Sequence, residues 1–226
     1  MHTLTSLFLV RGMDKPMKAK IAVATVSGRA YYELITELKR KHLLFQSLKP
    51  WDPIPLDIKV VLTTKAESQQ ISHPQILLFE PESNPESIVD KAVLIVQGKQ
   101  SYERIVVGVD PGKTYGIALL GDDKVLETRT SSSLEEAVNL VVDYIKRIPA
   151  TSRTVRVGDG PSEYLDNLIR SLNRMLPEEI MMEIVSEAGT SHPMNESANR
   201  RGLRDAVSAV EIARRNGKLY PRKNVK

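Results

Sequence analysis

The apolar positions of this chain fall into two successive rounds of short buried runs and longer amphipathic ones, with a fresh start near residue 100. Residues 20–26 read as a buried strand, and Ser27-Gly28 turns it into a helix predicted over 29–48. That helix carries Tyr32, Ile35, Leu38 and Leu43 on one side, with Lys39, Arg40 and Lys41 outside. Pro50, Pro53 and Pro55 then forbid a helix and predict a loop. Short apolar strands are predicted over 58–63 and 75–79, and a helix over 85–98 with Pro85 where a missing N–H costs little. Strands alternating with helices predict a small three-layer α/β domain over 17–99. Its Ser27-Gly28 corner is open to two readings, a tight turn or an anion site at a helix N-terminus. No phosphate loop is present in it, and its role is not readable.

The second round has a different rhythm. Residues 105–110, 115–120 and 124–129 read as three strands joined by turns at Gly112 and at Gly121-Asp122-Asp123. Ser131-Ser132-Ser133 caps a helix with the stripe Leu134, Ala137, Val138, Val141, Val142 and Ile145. A strand over 153–157, a helix over 162–176, a strand over 181–185 and a last helix over 201–215 follow. The order β-β-β-α-β-α-β-α is not that of a doubly wound nucleotide fold; it is the order of a ribonuclease H core. The fold class expected is therefore α/β. A mixed five-stranded sheet with helices on both faces would span 100–226, and the first sixteen residues would be an unstructured leader or an upstream start.

Composition changes this picture little. The chain is 41% hydrophobic and 27% charged, ordinary for a folded soluble protein. It has no cysteine, which excludes disulfides and thiolate metal sites, and its four histidines show no ligand spacing. Any metal would sit on oxygen ligands, which means Mg²⁺ or Mn²⁺. The N-terminal apolar run is too short to span a bilayer and lacks a basic leader, so a cytoplasmic protein with no membrane partner is expected. Net charge is only +4, but nine Lys or Arg face two acids from Asn199 onward. Such a segment suits a polyanion, and it equally suits a solvated helix face.

Asp110, Asp159 and Glu187 each end a strand before a Gly-rich or small-residue loop, and Asp205 falls on the first turn of the last helix. If those strands run parallel, their carboxyl ends cluster at one sheet edge. The group could then hold one or two Mg²⁺ ions and activate water on a phosphodiester. Each acid alone also has a plain turn or helix-dipole account. Lys113-Thr114 does not complete a nucleoside triphosphate loop, because Val107 stands where a glycine is required.

The stretch Ile-Val-Val-Gly-Val-Asp-Pro-Gly-Lys-Thr-Tyr-Gly, ending at Gly116, resembles the first hairpin of the RuvC and YqgF families. Arg-Gly-Leu-Arg-Asp-Ala, from Arg201 to Ala206, resembles their last helix. The resemblance covers about residues 103–216 and implies that Asp110 and Asp205 are the first and last metal ligands. Glu187 or Asp159 would be the middle one. The Arg of the YqgF acidic motif is absent, since Ala188 follows Glu187. The resemblance implies a Mg²⁺-dependent endonuclease acting on branched DNA or structured RNA, as a possible homodimer. Lys113, Arg200, Arg201, Arg204, Arg214, Arg215, Lys218, Arg222 and Lys223 are the expected phosphate contacts. A non-catalytic nucleic-acid-binding module is the alternative. An actin-like ATPase would need two such domains and more residues.

Overall fold

Backbone pairing divides the strands of this chain into two sheets, and contacts divide the chain into two compact units, Met1–Gln100 and Ser101–Lys226. The computed structural model describes residues 19–80, 82–186 and 198–222, excepting the side chains of 198–203.

In the first unit, β1 (Ile21–Ala24), β2 (Phe45–Leu48), β3 (Val60–Thr64) and β4 (Ile76–Phe79) form a parallel sheet in the order β2-β1-β3-β4. Helix α1 (Gly28–Arg40) links β1 to β2, and α2 (Pro85–Val96) follows β4. Ser27 caps α1 by accepting from the Ala30 N–H, and Asn84 caps α2 by accepting from Glu86 N–H at 2.8 Å. Both helices lie on one face. Leu34 and Leu38 of α1, with Val89 and Ala92 of α2, pack on Val23 and Leu62. Two ion pairs pin the helices to each other: Lys41 Nζ lies 2.6 Å from Asp90 Oδ1, and the Arg40 guanidinium lies 3.4 Å from Glu86 Oε1.

Two expectations are corrected here. The helix predicted over 29–48 stops at Arg40, and Phe45–Leu48 is a strand. His42 takes a left-handed conformation (φ 53°), and Leu43 N–H donates to Leu38 O at 2.9 Å. That closes α1 as a glycine would, and sequence gives no glycine to announce it. Among the described residues the unit also lacks the third layer. The other sheet face, Ala22, Ala24 and Val61, is covered by Ile54, Ile58 and Ile71 from connecting segments. Three prolines bar a helix from one connection, and the other makes only a 3₁₀ turn at Ser68–Gln70.

The second unit is a mixed sheet of six strands in the order β10-β9-β8-β5-β6-β7. These are β5 (Tyr102–Asp110), β6 (Tyr115–Gly121), β7 (Lys124–Ser131), β8 (Ala150–Gly158), β9 (Met181–Val185) and the short β10 (Lys218–Leu219). The first three are antiparallel neighbours; β8 and β9 run parallel to β5. The sixth strand, β10, exceeds the five expected; two residues are too few to leave a pattern. Helix α5 (Ala198–Arg214) covers Val106, Ala118 and Leu120 with Ala209, Val210 and Ala213. Strand residues alternate in direction, so Ile105, Val107 and Val109 face the other side. They are fully buried there, with α3 (Leu134–Arg147) against the sheet and α4 (Ser162–Met175) beside α3.

Candidate functional site

Open parallel sheets bind ligands beyond the carboxyl ends of their strands, where the strand order reverses. In the first unit that point lies between β1 and β3, and it is filled from within the chain. Glu67 follows β3, yet its carboxylate reaches back to β1 and is only 8% exposed. Its Oε2 accepts from the Thr25 and Thr64 hydroxyls, each at 2.6 Å, and its Oε1 accepts from Val26 N–H at 2.8 Å. Ser27 N–H donates to the Thr25 hydroxyl at 3.0 Å, extending the chain of bonds to the cap of α1. Beside it, Thr63 Oγ1 donates to Ala24 O at 2.6 Å. Burial alone would raise the Glu67 pKa; the hydrogen bonds from Thr25, Thr64 and the backbone outweigh it and hold the group below its ordinary value. The carboxylate thus stays ionised at the carboxyl end of the sheet.

Two clefts flank this lock. One of about 320 Å³ is lined by Ser27, Arg29, Thr64, Lys65, Phe79 and Glu80. The other, about 430 Å³, is lined by Val26, Tyr31, Ser47, Lys49 and Asp52 among others. Arg29 is engaged with Glu33 at 2.8 Å. Neither β1 nor β3 ends in a carboxylate: the residues there are Ala24-Thr25 and Thr63-Thr64.

In the second unit the backbones of three expected acids do come to one sheet edge. Asp110 stands opposite Gly116 in register. A Cβ on Gly116 would lie 2.0 Å from the Asp205 carbonyl oxygen, so α5 sits directly on this hairpin. Asp159 N–H donates to Val185 O at 2.9 Å, and Gly160 abuts the Pro111 carbonyl. Tyr115 meets Tyr164 edge-on nearby at 6.4 Å, and burial raises its pKa, aided by Tyr164 and Glu163. Convergence of backbones is not convergence of ligands. Among the described residues no group of three or more His, Asp or Glu is arranged to hold a metal ion. Glu187 and Lys223 lie outside the described residues, as do the side chains of Arg200 and Arg201.

Several expected phosphate contacts have other employment. Arg222 donates to the carbonyls of Asn173, Leu176, Pro177 and Ile180, closing the C-terminal end of α4 and the turn after it. Arg215 reaches the Ser186 carbonyl at 3.5 Å and Glu211 at 3.8 Å. Lys113, Arg214 and Lys218 are exposed and Arg204 half-buried. Sequence reasoning passed over Glu67, whose partners at Thr25 and Val26 are 42 and 41 residues away. The available signal was the polar pair of strand ends, Thr25-Val26-Ser27 and Thr63-Thr64.

No described helix is long and apolar enough to cross a membrane. No curated protein matches the chain. Residues 20–96, within the first unit, match the family model described as a response regulator receiver-like domain. That match corrects the resemblance drawn from the Asp110 hairpin and the last helix. The family model matched over these residues is receiver-like and not that of a RuvC or YqgF nuclease. The reading as an endonuclease on branched nucleic acid, with its binding-module alternative, falls with it. The physical source of the error is that Asp-Pro-Gly serves equally well as a hairpin turn, which is how Asp110-Pro111-Gly112 joins β5 to β6.

Proposed function

We propose that this chain is a regulatory or signalling protein whose receiver-like first unit acts by non-covalent binding at its switch-point crevice. The observation that carries this reading is the Glu67 lock. A unit that takes its signal as a covalent group needs an accessible nucleophile at this edge. The strand ends supply Thr side chains, and the Glu67 carboxylate between them is buried, ionised and bound by three donors. The flanking clefts remain open to a partner or small anionic ligand through Lys65, Ser27 and Lys49. The second unit, on this reading, is the module through which the state of the first is expressed. Its order, three antiparallel strands followed by two parallel ones, supports a ribonuclease H-like architecture used as a scaffold.

The test is exposure of the full chain to acetyl phosphate with Mg²⁺, followed by intact-mass spectrometry and peptide mapping. The reading predicts no phosphoryl adduct in residues 20–96. An acid-stable or acyl adduct mapped to Glu67, Glu80 or the strand-end threonines would overturn it.

A further inference from the structure

The connection after β2 turns an aromatic side chain out to solvent beside the crevice. Residues 49–52 close a turn: Asp52 Oδ2 accepts from Lys49 N–H at 2.8 Å, and Asp52 N–H donates to Lys49 O at 3.0 Å. Pro50 is buried at the second position of the turn, where its fixed φ suits the backbone. Trp51, the single tryptophan of the chain, follows it and is 60% exposed. Lys49 Nζ lies over its ring, 5.9 Å from the centroid, which restrains the indole. Val26, 61% exposed, lines the same cleft as Lys49 and Asp52. A restrained, exposed tryptophan beside a second apolar residue offers a partner a large contact area at small entropic cost.

We propose that this turn is a self-association surface, on which a second copy of the chain docks about a two-fold axis passing near Trp51. The charges decide the partner. In a two-fold contact the same patch meets itself, so a rim of one sign repels its own copy. Here Lys49 and Asp52 flank Trp51 with opposite signs, and among the described residues neither takes part in a salt bridge. A two-fold axis at Trp51 sets Lys49 of each copy against Asp52 of the other and brings the two indoles together. This deepens the non-covalent reading of the crevice and rests on it: the partner at the cleft of about 430 Å³ is the chain itself. The patch is small, so the pair is reversible and forms at concentrations on the order of micromolar and above.

The experiment is sedimentation equilibrium of the full chain, with the emission of Trp51 read on the same samples. Because the chain has no other tryptophan, the emission reports this turn alone. Between about 1 and 300 μM the mass should rise from one chain towards two, and the emission should move to shorter wavelength in step. Trp51→Ala should weaken association roughly tenfold or more. Lys49→Glu and Asp52→Lys should each stay single alone and pair when mixed in equal amounts, since only the mixture restores opposite charges across the axis. Trp51→Ala keeps the proposal testable if Asp52→Lys loosens the turn. Leu56→Asp is the control and should change nothing. It alters an exposed residue near the other end of the connection, where Lys59 N–H donates to Lys20 O at 2.8 Å ahead of β1. A single-chain mass at every concentration, or a dimer that survives both Trp51→Ala and Lys49→Glu, would overturn the proposal. Neither result bears on the acetyl phosphate experiment, so failure here is distinct from failure of the non-covalent reading.

Discussion

The Thr25 hydroxyl donates to Glu67 Oε2 at 2.6 Å, joining the end of β1 to the segment after β3 across 42 residues of chain. The same oxygen accepts from Thr64, so one carboxylate ties both sides of the switch point. Removing it leaves two hydroxyls and the Val26 N–H without their acceptor. Glu67→Ala should destabilise the first unit by about 2–4 kcal/mol, because buried donors that lose their partner carry their full desolvation cost. Urea unfolding of the full chain measures it.

Acid should act through the same group. The folded-state pKa of Glu67 lies below its ordinary 4.5, so its ionised form is favoured by folding. The stability it contributes is present above 4.5 and is lost as pH falls through the lower folded value. Wild type should therefore exceed Glu67→Gln in stability at neutral pH, and the gap should narrow only below pH 4.5. Denaturant midpoints of both proteins across pH 3–7 check this, with the range set by that window.

In the second unit the contact between Gly116 and Asp205 leaves no room for a methyl group. A Cβ there would be 2.0 Å from a backbone oxygen, and one at Gly108 would be 2.2 Å from Ala209 O. Backbone cannot swing aside as a side chain can. Gly116→Ala should cost about 3 kcal/mol by forcing α5 off the sheet. Thermal unfolding of the second unit, followed by near-ultraviolet circular dichroism, would show it.

Arg222 supports a parallel prediction. Its guanidinium serves four carbonyls around the end of α4 and also Asn173 Oδ1 at 3.0 Å. Arg222→Ala should lower stability by about 1–3 kcal/mol, and Arg222→Lys should recover little, since a point charge cannot reproduce the fork. The same denaturation experiment decides between this capping role and a solvated one.

His42 offers a change in the opposite direction. It sits at φ 53°, where a side chain is strained and glycine is not. His42→Gly should stabilise the first unit by about 0.5–1 kcal/mol, read as a raised denaturant midpoint.

Legibility in the sequence followed the range of the interaction. The Ser133 cap of α3 was readable because Glu136 N–H, its donor, is three residues away. The β6–β7 turn was readable from Gly121-Asp122-Asp123, although both aspartates take the left-handed conformation usually given to Asn-Gly. β2 was not, because a helix stop made by His42 looks like more helix. The approach of the Asp110 and Asp159 backbones to one edge followed from strand ends, and that of Asp205 from the last helix packing over that edge. The function attached to it did not follow, since a turn and a ligand share the same residues. Glu67 was invisible for a further reason: its role exists only once β1 and β3 are side by side.

The lock at the switch point is tested most directly by nuclear magnetic resonance titration of the Glu67 side-chain carboxyl carbon, read together with the Val26 amide proton. The account predicts a midpoint below 4.5, with the Val26 amide shifting in step as its acceptor is protonated. A midpoint at or above 4.5, with the Val26 amide indifferent to it, would contradict the account: the carboxylate would then be free at the crevice.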